Sequence, residues 1–451
     1  MKTRFRNSGG TCVMTSGTIW RQLTVFALPL LAGSLVQQLY NAVDLIFVGR
    51  IVGTGAAAAV GSSGMMVTCI VGFFTGLSAG VGVVAGKAAG GGDFVRLSRL
   101  IQTAAGLTGA SALLLTLLGL AASPCVLRLM NTPPELMPDA LTYIRLYLLS
   151  LPSIVAYNVG AGVLRALGDS RSPTVYQIYG GLMNVLGNFV FIYLLGLGIR
   201  GAAFTTICAQ SAAAALVVRR LSRLDGRYRL DFKKVRIEPE LCVSILAVGI
   251  PAAVQSIVIS LSNLIVQSSI NTLGINVMAA FTAYYKVETL IYFPIIALGQ
   301  ACSVFTSQNV GALQPERVRS GVRTAVAVGL CVTAATSSAV ILSAEPLFRL
   351  FSADPAVVAL GRVMAFTAFP FYFLYVFLEM FSSLIRGAGR SLAAMAIVVF
   401  NMCVVRIGIL AAVMKFCPGA QSVAAVYPLT WGCTALCLFL YYKSGRWIPK
   451  R

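Results

Sequence analysis

Three of the fourteen acidic residues in this 451-residue chain, Asp44, Glu288 and Glu379, fall inside long apolar stretches. An ionisable side chain in such a setting is costly to keep and marks a functional position. Gln37, Tyr40, Asn41 and Asp44 are spaced i, i+3, i+4 and i+7, which puts them on one helical face directed at an interior cavity. Further along, Asn184 and Asn188 lie one helical turn apart. Amides can hold a carboxylate in either protonation state or give oxygens to a small hard cation. Asp44, Asn184, Asn188, Tyr40 and Asn41 are therefore the candidates for binding a proton or a sodium ion, the sodium resting on Asp44 and Asn184. The competing readings are a helix-end carboxylate for Asp44 and interhelical packing for the two amides.

Glu288 is surrounded in sequence by Tyr284, Tyr285, Lys286 and Tyr292. An acid flanked by aromatic rings suits a cationic amphipathic guest, through charge and ring faces together. The candidate guest contacts are Gln37, Tyr40, Asn263, Tyr284, Glu288 and Tyr292. An internal ion pair of Glu288 with Lys286 or Arg406 accounts for the acid equally well. Glu379 precedes Arg386 by seven residues and is expected to form a structural salt bridge. Ser256, Ser260, Asn263 and Gln267 repeat the polar stripe without a carboxylate, which places ion coupling in the first half.

Enzymatic constellations are missing from the sequence. There is no His, and no phosphate-binding loop of the Walker type. The glycine-rich run from Ala85 to Asp93 closes a hydrophobic segment where a phosphate loop would follow a strand. The eleven cysteines stand mostly alone in apolar runs, without the paired spacing of a metal site or disulfide framework. A non-enzyme without cofactors, driven by an H+ or Na+ gradient, is expected.

The elements that must position these residues are membrane helices. The chain is 58% hydrophobic and 11% charged, with a mean hydropathy of +0.85, outside the range of soluble domains. Apolar segments are predicted at 20–46, 55–84, 98–121, 140–164, 174–196, 200–219, 242–270, 276–305, 320–343, 360–385, 392–415 and 422–442, each of spanning length. Pro29, Pro152, Pro251, Pro294 and Pro370 fall in or near helix ends, where they bend the chain. Gly72, Gly76, Gly80, Gly82, Gly86 and Gly90 form a small-residue groove for a neighbouring helix.

The formal charge of +21 does not indicate nucleic acid, because the basic residues collect in alternate loops, above all Arg219 to Arg236. Arg50, Arg128, Arg200, Arg349 and Lys415 are the few on the opposite side. The positive-inside rule then puts both termini in the cytoplasm of a multi-pass inner-membrane protein. Lys2, Arg4 and Arg6 precede an apolar stretch too long for a signal peptide, and Met14 is an alternative start.

A shift of 221 or 222 positions lays Leu28-Pro29 on Ile250-Pro251, Asn41 on Asn263, Arg96 on Arg317 and Leu164 to Gly168 on Ile385 to Gly389. The fold class expected is thus an all-α polytopic protein of twelve helices in two pseudo-symmetric six-helix lobes. The domains are an N-terminal tail (1–19), an N-lobe (20–219), a basic linker (220–241), a C-lobe (242–442) and a C-terminal tail (443–451). The partners are small organic cations and the bilayer, with a monomer as the default.

Leu28-Pro29, Gln37 to Asp44 and Val48-Gly49-Arg50 resemble the opening helix of multidrug and toxin extrusion (MATE) transporters. Ala58 to Gly61, Arg165 to Asp169, Gly201 to Ala203 and Ile385 to Gly389 extend the likeness over nearly the whole chain. The resemblance implies alternating access and export of organic cations against protons or sodium, with Asp44 as the coupling carboxylate. Asn184 matches an Asn found on the fifth helix of relatives, and Asn188 stands where they carry Asp. No Glu occurs between Pro251 and Gln267, where some relatives have one. Flipping of a lipid-linked oligosaccharide, performed by others in the same superfamily, is the alternative. It calls for a strongly cationic cavity, and Lys286 and Arg406 are the chief intramembrane cations.

Overall fold

The computed structural model describes residues 13–129 and 132–448, with side chains described for all of these except Leu45, residues 54–66 and Thr68. Met1, Lys2, Arg4 and Arg6 lie outside them, as do the side chains of Ala58 to Gly61. Among the described residues the structure is helical without a strand. Within a bilayer each backbone amide and carbonyl must find its partner inside the segment, and the α-helix achieves this in a single pass.

In chain order the spans are α1 (Ile19–Val52), α2 (Thr54–Gly90), α3 (Phe94–Leu129), α4 (Met137–Ala166), α5 (Arg171–Leu194), α6 (Gly198–Ser222), α7 (Pro239–Asn271), α8 (Ile275–Gly311), α9 (Pro315–Leu342), α10 (Pro355–Gly387), α11 (Ser391–Phe416) and α12 (Ala420–Lys443). Helix α4 is two pieces, Met137–Leu149 and Leu151–Ala166, bent by 45°. Pro152 sits in the first turn of the second piece, where its missing N–H costs nothing. Pro29, Pro251 and Pro294 lie inside helices, and Pro370 falls in a 3-10 turn within α10. Exposed leucines such as Leu113, Leu117, Leu182 and Leu186 give the spans an apolar exterior suited to lipid.

Three spans contain a stretch of wide π turns: Val48–Val52 in α1, Asn188–Leu194 in α5 and Phe400–Val405 in α11. Such turns are frequent at functional sites. The first begins four residues after Asp44, and the second begins at Asn188 itself.

The chain divides into two compact units, one built on Pro29–Ala253 and the other on Met14–Leu28 with Val254–Arg451. It therefore passes between units inside helices, at Leu28–Pro29 in α1 and at Ala253–Val254 in α7. In the first unit the glycine groove of α2 receives α7. A Cβ on Gly76 would sit 2.2 Å from Ala253 N, and one on Gly80 would sit 2.5 Å from Ile245 O. In the second unit, Met14 N–H donates to Gln308 Oε1 (2.7 Å), and Arg317 donates to Gly17 O (2.9 Å) and Gln22 Oε1 (3.0 Å).

The basic linker between α6 and α7 is an ordered element pinned to α3. Gln102 donates to Arg229 O (2.9 Å) and accepts from Asp231 N (3.3 Å), while Leu230 N donates to Leu221 O (3.1 Å). Phe94 stacks on Tyr228, and Arg227 lies over the Phe94 ring. At the linker's end Glu238 receives Arg99 and Arg236. The Arg99 guanidinium, hydrogen-bonded to it, holds the Glu238 carboxyl below the usual range.

Candidate cation and guest sites

In the first unit, α1 and α5 bring Asp44 and the two amides together. Asn188 donates through Nδ2 to Asp44 Oδ1 (2.8 Å) and to Asn184 Oδ1 (3.3 Å). Asn188 is fully buried and Asn184 nearly so, and the Asn188 carbonyl oxygen has no hydrogen-bond partner. A buried acceptor left unpaired beside a carboxylate is costly. A proton on Asp44 or a small cation among these oxygens is the chemistry that would pair with it. No cluster of three His, Cys, Asp or Glu occurs among the described residues.

A column of polar side chains leads along the same helices. The Tyr157 hydroxyl of α4 lies 2.9 Å from Pro173 O and 3.1 Å from Gln177 Oε1, and Gln177 Nε2 donates to Gln37 Oε1 (2.9 Å). The Thr174 hydroxyl reaches Pro29 O (3.0 Å), fastening α5 to α1 at the proline. Tyr40 packs its ring edge on Gly181, where a Cβ would come within 3.0 Å of Tyr40 Cδ1. Asn41 is exposed, and its side chain makes no hydrogen bond in the described structure. The expected face thus holds Gln37, Tyr40 and Asp44 in one tract, with Asn41 at its edge.

The second unit gathers its rings around Glu288. The Tyr372 hydroxyl donates to Glu288 Oε1. Tyr284 stacks on Phe369, and Tyr292 packs on Tyr375. Tyr284 is fully buried and Glu288 is 8% exposed, while Tyr292 is half-buried. Neither candidate cation pairs with the acid among the described residues. Lys286 is exposed. Arg406, 3% exposed, donates to Asn263 Oδ1 (3.0 Å), contacts Met402 Sδ and lies 5.0 Å from the Tyr427 ring centre. Asn263 is thereby engaged by Arg406, and the Arg406 Nε has no partner. Glu379 accepts from Ser383 (2.9 Å) and pairs with Arg386 at 3.5 Å.

The sequence pattern of the MatE family matches residues 29–190 and 251–411, once in each half and over more than half of the chain. The chain belongs to the MATE family. The protein is 25% identical over 439 residues to the probable multidrug resistance protein YoeA of Bacillus subtilis, with 94% of each chain covered. It is also 26% identical over 351 residues to the FAD transporter of Shewanella oneidensis, covering 76% of this chain and 77% of that one. Among solved structures, an outward-facing multidrug resistance MATE transporter of the MOP superfamily superposes with a TM-score of 0.91 at 23% identity, over 97% and 98% of the two chains. This MATE protein is therefore an integral membrane transporter with the twelve-helix, two-lobe fold.

Several residues of the MATE chain's polar tracts were not singled out from sequence. Gln177 lies seven residues before Asn184, and helical spacing alone would have added it to that face. Tyr157 and Tyr372 reach their partners from other helices, and no local pattern announces them.

Proposed function

We propose that this protein is a cation-coupled antiporter that exports organic cations across the cytoplasmic membrane by alternating access. The observation that carries the reading is the Asp44–Asn188–Asn184 cluster with its unpaired buried oxygen. A proton or a sodium ion arriving from outside neutralises Asp44 and satisfies that oxygen. Its departure into the cytoplasm restores the anion. A guest and an ion that favour opposite-facing states then exchange through differential affinity alone.

In this reading Gln37, Tyr40, Glu288, Tyr284, Tyr292 and Asn263 serve the guest. Both termini and the basic linker are cytoplasmic, the lobes are residues 20–219 and 242–442, and the monomer transports. The test is ethidium efflux from vesicles carrying an imposed pH gradient or an imposed sodium gradient, each alone. Wild-type protein should respond to at least one gradient, and Asp44→Asn, inserted at normal levels, should respond to neither. Undiminished gradient-driven efflux by Asp44→Asn would refute the coupling role.

Arg406 favours a second reading, a guest with an anionic group, since this buried cation keeps an unpaired Nε. The relative named an FAD transporter makes a phosphate-bearing compound the natural probe. FAD uptake into inside-out vesicles that exceeds ethidium uptake, and is lost in Arg406→Gln, would place this reading first.

A further inference from the structure

The first unit contains a slot of about 410 Å³ between α3, α4 and α6. Its walls include Ile101, Leu113, Val159 and Leu221, and its side chains are apolar apart from Thr108 and Thr116. The Thr116 hydroxyl is turned to Leu148 O (3.3 Å). A binding site for a polar or drug-like molecule needs convergent hydrogen-bonding groups, and this slot offers none. From Ile101 to Thr116 it follows α3 for about 22 Å at ~1.5 Å per residue. That length exceeds the ~15 Å of one leaflet's hydrocarbon. An acyl chain has the right length and chemistry to fill it.

The mouth of the slot is made by the linker, through Leu230 and Phe232. Phe232 is 68% exposed and opens a 3-10 turn with Lys233 and Lys234. An exposed aromatic ring beside lysines is the composition of an interfacial anchor. The nearby acids are already used: Asp231 accepts from Lys233 N (3.1 Å) and faces Lys234 at 3.9 Å, and Glu238 holds Arg99 and Arg236. Arg229 and Lys233, both exposed, make no ion pair in the described structure. The mouth therefore carries positive charge that no protein carboxylate answers.

We propose that this slot is a binding site for an anionic phospholipid, with one acyl chain between α3, α4 and α6 and the phosphodiester on Arg229 and Lys233. The slot gives retention and the linker gives preference for negative charge. Because Gln102 and Glu238 fasten the linker to α3, an occupied site braces the linker against the helices it connects.

The test uses full-length protein reconstituted in vesicles of equal parts phosphatidylglycerol and phosphatidylcholine, extracted in mild detergent, with retained lipids counted by native mass spectrometry. Phosphatidylglycerol should be retained in several-fold excess. Arg229→Gln with Lys233→Gln should bring the ratio toward unity. Gly109→Phe should abolish retention of both lipids, since a Cβ at Gly109 meets nothing within 4 Å and the ring would occupy the slot. Equal retention of the two lipids by wild type, or unaltered retention by folded Gly109→Phe, would overturn the proposal. A photoactivatable phosphatidylglycerol supplies a check that needs no variant. Crosslinks within 101–116 and 152–163 support the site, and crosslinks confined to other spans refute it.

Discussion

Asn188 gives Asp44 a hydrogen bond of 2.8 Å while its own carbonyl oxygen goes unanswered. One amide therefore stabilises the charged carboxylate and at the same time keeps a free acceptor beside it. Asn188→Leu removes both services. A hydrogen bond to a charged group is worth about 1.5–3 kcal/mol, so gradient-driven efflux should fall roughly ten-fold or more at unchanged expression. Asn188→Asp adds a second carboxylate to the cluster. Its efflux should gain a response to sodium, read by titrating NaCl at constant ionic strength.

In the second unit, the Tyr372 hydroxyl is the donor that makes a buried Glu288 tolerable. Tyr372→Phe strands the acid and should lower the midpoint of thermal unfolding in detergent, at a cost of about 1.5–3 kcal/mol. Glu288→Gln in the same background should recover part of the loss. The coupling between the two changes, obtained from a double-mutant cycle, measures the bond. Additive effects would show that the two side chains do not act together.

Gly76 is required because a helix backbone lies against it. Gly76→Ala drives a methyl group onto Ala253 N, an atom held in a helix and unable to rotate aside. Overpacking of this kind costs about 1–3 kcal/mol. Thermal unfolding should register it, with Gly109→Ala, which faces open space, as the neutral control.

Glu238 makes the linker's attachment pH-dependent. Arg99, and then Arg236, favour its ionised form, so its folded pKa lies below the ordinary value, which is near 4.3. Stabilisation from a depressed carboxyl is complete above the unfolded value and is lost as pH falls through the folded one. Hydrogen exchange of linker amides should be faster in Glu238→Gln than in wild type at neutral pH. The two proteins should converge once the pH has fallen below the depressed folded value of Glu238.

How far the sequence spoke for the structure depends on the range of the interactions involved. Twelve apolar lengths and the 221–222 offset announced the helices and their two-fold repetition, because both signals are written locally. The spacing of Gln37, Tyr40 and Asp44 likewise reported a face. The fate of Asn263 did not follow from its stripe, since its partner Arg406 comes from α11. The pairing of Glu288 with Tyr372, in preference to Lys286 or Arg406, was equally hidden, because only packing of α8 against α10 brings the hydroxyl to the acid. The linker read as a basic tether, and nothing in its charge revealed that Gln102 and Thr103 of α3 would hold it, Thr103 accepting from Glu238 N at 3.3 Å.

The border between the two compact bodies runs through the middle of α1 and α7, each crossing within two residues of a proline. Loops usually serve as the joints of a two-body protein, but here the loop between α6 and α7 lies within the first unit and is strapped down at both ends. The chain thus crosses from unit to unit inside rods that also carry Asp44 and Asn263. A kink at Pro29 or Pro251 is transmitted along a stiff lever to the polar residues three to four turns away.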